Sequence, residues 1–164
     1  MEMIQAKARR RERRSRTLQT IDGLVAERRE MLILFCQVAG LPPYSSQKSP
    51  NPATMQRFCQ VLIDYVAAGH FGLYQRIVEG RERRQGMLRL AGELYPRIAE
   101  TTQKALDFSD KYADLPSSRA ITPDLTEDLS SLGEELALRV ELEDKLIAEL
   151  RPALEPLEAC LTHE

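Results

Sequence analysis

The residues best suited to chemistry in this sequence are three cysteines and two histidines. Cys36, Cys59 and Cys160 include no C-x-x-C pair, so neither a disulfide framework nor a zinc ribbon is indicated. His70 and His163 are too few for most metal chemistry, and no E-x-x-H helix motif supplies a carboxylate di-metal site. We therefore expect no metal centre and no cofactor, with the cysteines as buried thiols that pack like small apolar side chains.

Cys59 and His70 are a candidate nucleophilic pair, because they project to a similar side of one helical tract. On a continuous helix they stand about 16 Å apart along the axis, so only a sharp bend could join them. The sequence also lacks the glycine-rich phosphate loop G-x-x-x-x-G-K-[ST] and the nucleophile elbow G-x-S-x-G. We therefore predict that the protein is not an enzyme.

The spacing of apolar residues indicates the elements that must position any site. Leucines and their equivalents recur at three and four residues rather than two, which predicts an all-α chain. Four tracts follow this pattern. They cover residues 17–39, 53–79, 87–112 and the stretch from Leu125 to Leu161, which includes Leu154 and Leu157. Loops are expected at 44–52, 80–86 and 115–123, where Gly, Pro, Ser and Asn concentrate.

Helix ends are also readable. Gly40 followed by two prolines should stop the first tract, and Asn51 with Pro52 should cap and open the second. Gly69 interrupts the second tract, and Pro96 should bend the third. One-sided apolar stripes need each other for burial, so we predict an antiparallel four-helix bundle with kinked or broken helices.

Charge divides the chain unevenly. Net charge is only −2, but the first sixteen residues carry +5 and the remainder −7. The arginine-rich lead can extend the first helix. We therefore predict a basic extension over 1–16 and a single helical-bundle domain over 17–164. No apolar run approaches the roughly 18 to 20 residues of a membrane helix, and arginines stand where a signal peptide would be apolar. The expected location is the cytoplasm, without a membrane partner.

The second tract has an unusual polar face. At 100° per residue, Asp64, Ala67 and Phe71 project opposite the apolar stripe. An aromatic ring there is either an exposed interface anchor or is turned into the core by a kink at Gly69. His70 projects nearer the core, where a hydrogen-bonded buried histidine is the alternative to a partner contact.

Two runs of sequence resemble a known family. They are FCQVLIDYVAAGHFGLYQRI from Phe58 to Ile77 and LGEELALRVELEDKLI from Leu132 to Ile147. Both are similar to segments of the Rsd/AlgQ family, bacterial regulators of the primary sigma factor of RNA polymerase, and the resemblance covers residues 18–150. It implies a helical-bundle anti-sigma factor that binds the C-terminal, DNA-reading domain of sigma (region four).

The resemblance also implies contact residues. In the family, the segment matching 64–71 lines the sigma-binding surface, so Asp64, Ala67 and Phe71, together with His70, are carried over as partner contacts. Family members often have serine at the position of Ala67, so a hydrogen bond from that side chain is lost here. The family mechanism implies sequestration of the primary sigma factor, which redistributes polymerase among sigma factors.

The residues support the same partner independently. A domain that grips promoter DNA presents a basic surface, for which an acidic helix can compete. The last tract concentrates acids, and Glu143 with Asp144 interrupts its apolar seam, so both are predicted partner contacts; a solvated helix face is the alternative.

Two other functions stay open: a helical scaffold, or weak non-specific nucleic-acid binding through the arginine-rich start. The seven basic residues could hold phosphates, but they carry no interleaved aromatics and no reading motif, so we do not expect direct DNA binding as the main function, and any such binding would be non-specific. The sequence specifies no oligomeric state.

Overall fold

The structure, a computed structural model, describes residues 1–44, 51–78, 85–114 and 123–151. Within these ranges every regular element is a helix of at least six residues. They are α1 (Glu2–Ala39), α2 (Pro52–Ala68), a π-helical segment (Gly69–Tyr74), α3 (Gln85–Tyr112) and α4 (Pro123–Leu150). The all-α prediction is confirmed. Most of each predicted loop lies outside the described residues, as do Cys160, His163 and the continuation of the fourth tract through Leu154, Leu157 and Leu161.

Two predicted helix ends are confirmed. Gly40 terminates α1 with φ 66°, the left-handed conformation that glycine adopts most easily, and its N–H donates to the carbonyls at the helix end. Asn51 caps α2: its side-chain oxygen accepts a hydrogen bond from the N–H of Ala53 at 2.9 Å, and Pro52 occupies the first helical position.

Consecutive helices, and also α1 and α4, pack side by side and run in opposite directions. Residues in contact across each pair follow opposite orders along the two helices, as they must between antiparallel neighbours. These pairs are Arg57–Glu30 and Gly72–Thr20 for α1 with α2, Phe58–Phe108 and Tyr74–Tyr95 for α2 and the π-helical segment with α3, Lys111–Asp128 and Arg97–Glu135 for α3 with α4, and Arg28–Asp144 and Arg151–Asp22 for α1 with α4. The antiparallel bundle is confirmed.

The core is mainly apolar and extends across the four helices, and within it Phe58 on α2 is fully buried. The Phe58 ring lies 6.0 Å from that of Phe35 on α1 and 5.9 Å from that of Phe108 on α3. A Cβ at Gly133 on α4 would stand 2.9 Å from the Phe35 ring, so glycine allows α1 and α4 to approach there. Fully burying side chains of this size is worth roughly 1.5 to 3 kcal/mol each.

The two predicted interruptions leave the chain helical. At Gly69 the hydrogen-bond pattern changes from i→i+4 to the wider i→i+5 of a π-helix, which continues to Tyr74. α3 continues through Pro96 as one helix, and the bend there stays a prediction. The π-helical segment carries His70 and Phe71, two of the predicted partner contacts.

α1 extends well beyond the bundle. It begins at Glu2, so the arginine-rich lead and the core-packing part form one helix of 38 residues. The first thirteen side chains are exposed, and the first fully buried one is Ile21. The proposed division at residue 16 stays a prediction.

Candidate functional site: a partner-binding surface

Phe71 is exposed. It lies in the π-helical segment with 63% of its surface accessible, the largest exposed fraction among large apolar side chains outside the first four residues of the described chain. The helix does not turn it into the core at Gly69. An aromatic side chain held outward on a helix is a typical anchor for a protein partner.

An aromatic groove lies beside Phe71, between α2 with the π-helical segment on one side and α3 on the other. Its volume is about 290 Å³, and Ala67, His70 and Phe71 line it together with Tyr74 and Tyr95. The Tyr74 and Tyr95 rings stack with centroids 3.7 Å apart, and His70 meets the edge of Phe71 at 4.8 Å. His70 is thus half-buried in the groove wall rather than in the core. Such a groove can accept an apolar side chain of a partner.

Asp64 lies one helical turn before Ala67 and is exposed. Its carboxylate accepts a hydrogen bond from the Gln60 amide at 3.1 Å and has no ion pair with a described residue. The structure therefore brings Asp64, Ala67, His70 and Phe71 onto one surface, which we call the α2 surface. It combines a free negative charge with exposed aromatic area.

Glu27 on α1 adds a second acid beside this surface, and sequence reasoning missed it. Burial raises the pKa of its carboxyl, and the negative charges of Asp64 and Glu30 raise it further. Its Oε2 is buried without a hydrogen-bond partner among the described residues. A buried carboxylate oxygen that lacks a donor is costly, so this site favours an incoming positive charge.

Glu143 is placed differently from the prediction. It is 1% exposed in the centre of the bundle, so it cannot contact a partner directly. Its carboxylate accepts hydrogen bonds from the Tyr65 hydroxyl at 2.7 Å, from Arg139 Nε at 2.7 Å and from Arg28 Nη2 at 3.1 Å. Glu143 can be buried within the apolar seam because these three donors form hydrogen bonds with its carboxylate. Burial and the neighbouring carboxylate raise the pKa of Tyr65, which keeps that hydroxyl a neutral donor.

The Asp144 side chain points away from the buried network around Glu143, because consecutive residues of a helix are rotated by about 100°. Its side chain is 56% exposed and accepts from Arg28 Nη1 at 2.6 Å, at the boundary between α1 and α4. Asp144 is absent from the lining of the aromatic groove. The two acids therefore do not join the α2 surface, and only Asp144 is accessible.

Arg139 extends the buried network toward the groove. It is fully buried, and its guanidinium donates to Thr102 Oγ1 at 2.6 Å, Thr101 Oγ1 at 3.1 Å and the Val66 carbonyl at 3.4 Å. The network thus ties α4 to α1, α2 and α3. A Cβ at Gly69 would lie 2.8 Å from Arg139 Nη2, so the start of the π-helical segment packs directly on this arginine.

Other acids of α4 are partly neutralised. Arg97 on α3 donates to both carboxylate oxygens of Glu135, at 2.9 and 3.0 Å, and this hydrogen bonding lowers the pKa of Glu135. Glu141 lies 3.9 Å from Lys145. Because these charges are already paired, α4 contributes less negative potential than its composition indicates.

The nucleophilic alternative finds no support in the geometry. Cys59 is 1% exposed, and burial raises its pKa to about 11, so its thiolate is scarce at neutral pH. Among the described residues no group of three or more His, Cys, Asp and Glu side chains could hold a metal ion. No helix over the same part of the chain has the length and apolarity of a membrane span.

Comparison with known proteins identifies the family of the chain. The family model described as "Regulator of RNA polymerase sigma(70) subunit, Rsd/AlgQ" matches residues 3–151. Proteins named Regulator of sigma D, from Yersinia pseudotuberculosis serotype O:1b and from Yersinia pestis, are 33% identical over 129 residues, covering 77% of this chain and 76% of theirs. A protein of that name from Salmonella paratyphi B is 32% identical over 128 residues, covering 77% and 78%. No solved structure matches the chain. The chain belongs to the Rsd/AlgQ family of regulators of the sigma(70) subunit of RNA polymerase.

Proposed function

We propose that this regulator binds the C-terminal, DNA-reading domain (region four) of the primary sigma factor through the α2 surface. The observation that carries this proposal is the exposed Phe71, held beside an open aromatic groove. Exposure of a large apolar side chain to water is unfavourable, so its burial by a partner stabilises the complex. Asp64, Ala67 and His70 surround the anchor and supply the remaining contacts.

The charges on this surface fit a partner that reads DNA. Such a domain presents basic side chains toward phosphates. Asp64 has no ion pair with a described residue, and the Glu27 carboxylate beside it lacks a donor. A basic side chain of sigma placed between them would satisfy both, which makes Glu27 a further contact that we add to the set. Asp144, exposed and already paired with Arg28, contributes as a peripheral charge.

Regulation then follows from occupation of the sigma domain rather than from catalysis. While the α2 surface covers the basic face of that domain, the domain can reach neither promoter DNA nor its docking site on the core polymerase. The buried, weakly acidic thiol of Cys59 is consistent with a binding protein. The action takes place in the cytoplasm, where the polymerase works.

The test is titration of the isolated sigma domain with the full chain and four variants. Phe71→Ala and Asp64→Ala should each weaken binding, by roughly 30-fold for a true anchor residue. Leu88→Ala controls for loss of an exposed apolar side chain on α3. Asp107→Ala is matched to Asp64→Ala, because Asp107 is also exposed and also accepts from a glutamine four residues away, at 2.8 Å. The proposal fails if the site variants bind as tightly as their controls.

A further inference from the structure

The first fifteen residues of α1, Glu2–Arg16, form what we call the basic arm. Every side chain in it except Arg14 is exposed, and it precedes the first fully buried residue of the helix, Ile21. Neither the core nor the α2 surface uses it. The arm is nevertheless the continuation of a helix whose other half is packed in the bundle, so its orientation is set by the fold.

The charges of the arm are almost uncompensated. It carries seven cations: Lys7, Arg9, Arg10, Arg11, Arg13, Arg14 and Arg16. Arg16 pairs with Glu12 at 2.5 Å, and the other six have no ion pair with any described residue. Like charges recur at i and i+4, at Lys7 with Arg11, Arg9 with Arg13 and Arg10 with Arg14, which destabilises the helix. A ligand with many negative charges would remove that repulsion.

The distribution of cations favours a phosphate backbone over a lipid surface. An interfacial membrane helix needs an apolar face along its length. Here the large apolar side chains, Met3 and Ile4, stand only at the start, and the residues that follow place cations over most of the helix circumference without forming an apolar stripe. Duplex DNA offers a row of phosphates that a rigid cationic rod can follow. The arm lacks a motif that reads bases, so such binding carries no sequence preference.

We propose that the basic arm binds the phosphate backbone of double-stranded DNA without sequence preference. This activity is separate from sigma binding, since it uses residues 2–16 and the α2 surface uses α2 and the π-helical segment. The rest of the chain carries −7 and repels DNA, so contact is confined to the arm. The protein would then hold a sigma domain on its body while its other end associates weakly with the chromosome.

The test uses the full chain and two unrelated fluorescent 20-bp duplexes, with binding followed by anisotropy. Both duplexes should bind alike at 50 mM salt. Affinity should fall roughly 100- to 1,000-fold by 200 mM, the loss expected when four to six phosphates are neutralised. A full-length variant with Lys7→Gln, Arg11→Gln and Arg14→Gln should bind at least tenfold more weakly and show a shallower salt slope.

The control variant changes three exposed cations of the bundle instead, Arg57→Gln, Arg89→Gln and Lys145→Gln, for the same change in net charge. It should keep the affinity of the unaltered chain. Both variants should retain sigma binding and helical circular dichroism, so failure of this proposal is distinguishable from failure of the sigma proposal.

Two results would overturn the inference. The first is an equal loss in the control variant, which would make the effect one of net charge. The second is no binding by the full chain at 50 mM salt.

Discussion

At the scale of single residues, surroundings decide what a carboxylate does. Glu143 and Glu27 are both acids on bundle helices, but three donors surround the first, whereas the second has a buried oxygen without one. The first therefore holds helices together, and the second is available to a partner. The apolar seam marks Glu143 as unusual in the sequence, but the donors that decide its role include Tyr65 and Arg28 on other helices.

Replacing Glu27 should separate stability from binding. Its folded-state pKa is raised above 4.5, so the folded chain holds this proton more tightly than the unfolded one. The ionised group therefore lowers stability as pH rises through that range. Glu27→Gln should slightly raise the urea midpoint at pH 7 and yet weaken sigma binding, because a basic partner side chain loses its counter-charge.

The pH dependence gives a second readout of the same residue. A cation of the partner lowers the pKa of Glu27, so binding releases a proton and the affinity of the unaltered chain should decline as pH drops through the raised pKa. Glu27→Gln should flatten that decline, whereas the exposed-site control Glu100→Gln should keep it. Parallel pH profiles for Glu27→Gln and the unaltered chain would remove Glu27 from the binding surface.

Arg139 should be a major determinant of stability. Arg139→Met leaves Glu143 buried with one fewer cation and removes donors from Thr101, Thr102 and the Val66 carbonyl. Loss of one partner from a buried ion pair costs about 3 to 5 kcal/mol. The control is Arg97→Met, which breaks a more exposed, solvent-screened pair with Glu135 and should cost much less. Urea denaturation measures both, and equal losses would contradict the buried-network interpretation.

At the scale of elements, the π-helical segment links the core to the α2 surface. It begins at Gly69, against the Arg139 guanidinium, and two residues later presents Phe71 to solvent. π-helical turns recur at functional sites because they alter the direction of side chains without ending the helix. In this protein the altered direction applies to His70 and Phe71, two of the four residues that the family resemblance assigns to the partner.

Gly69→Ala tests this link. Gly69 has ordinary right-handed helical angles, φ −62° and ψ −46°, so helix propensity alone would favour alanine by about 1 kcal/mol. The added Cβ would lie 2.8 Å from Arg139 Nη2 and 3.5 Å from Glu143 Oε1. We expect lower stability and weaker sigma binding. Gly92→Ala on α3, where no atom lies within 4 Å of the added Cβ, should instead be neutral or stabilising. The same sign for both variants in denaturation would refute the link.

At the scale of the whole molecule, charge asymmetry should govern association. Residues 17–164 carry −7, and the proposed sigma partner is basic, so their encounter is accelerated by long-range attraction. Raising salt from 50 to 300 mM should slow association and weaken affinity, as stopped-flow mixing with the sigma domain can measure. An association rate independent of salt would mean that the acidic body plays no part.

Much of the fold is readable from local sequence. Gly40 and the Asn51-Pro52 pair set helix ends because their effect depends on their own backbone conformations and hydrogen bonds. Apolar spacing indicated the four helices because the 3.6-residue period acts within each one. The exposure of Phe71 was also anticipated as one of two alternatives, since a helical projection places it opposite the apolar stripe.

The sequence by itself thus determined the helices, the two helix ends at Gly40 and at Asn51 with Pro52, and the family of the protein, because each depends on residues close together in the chain. Only the tertiary structure decided that Glu143 is buried and Asp144 exposed, that Glu27 stands beside Asp64, and that a π-helical turn follows Gly69. Each of these depends on donors, charges or close contacts contributed by another helix. Partners that are distant in the chain produce no local sequence pattern. The chemistry of the α2 surface is therefore set only when the helices pack together.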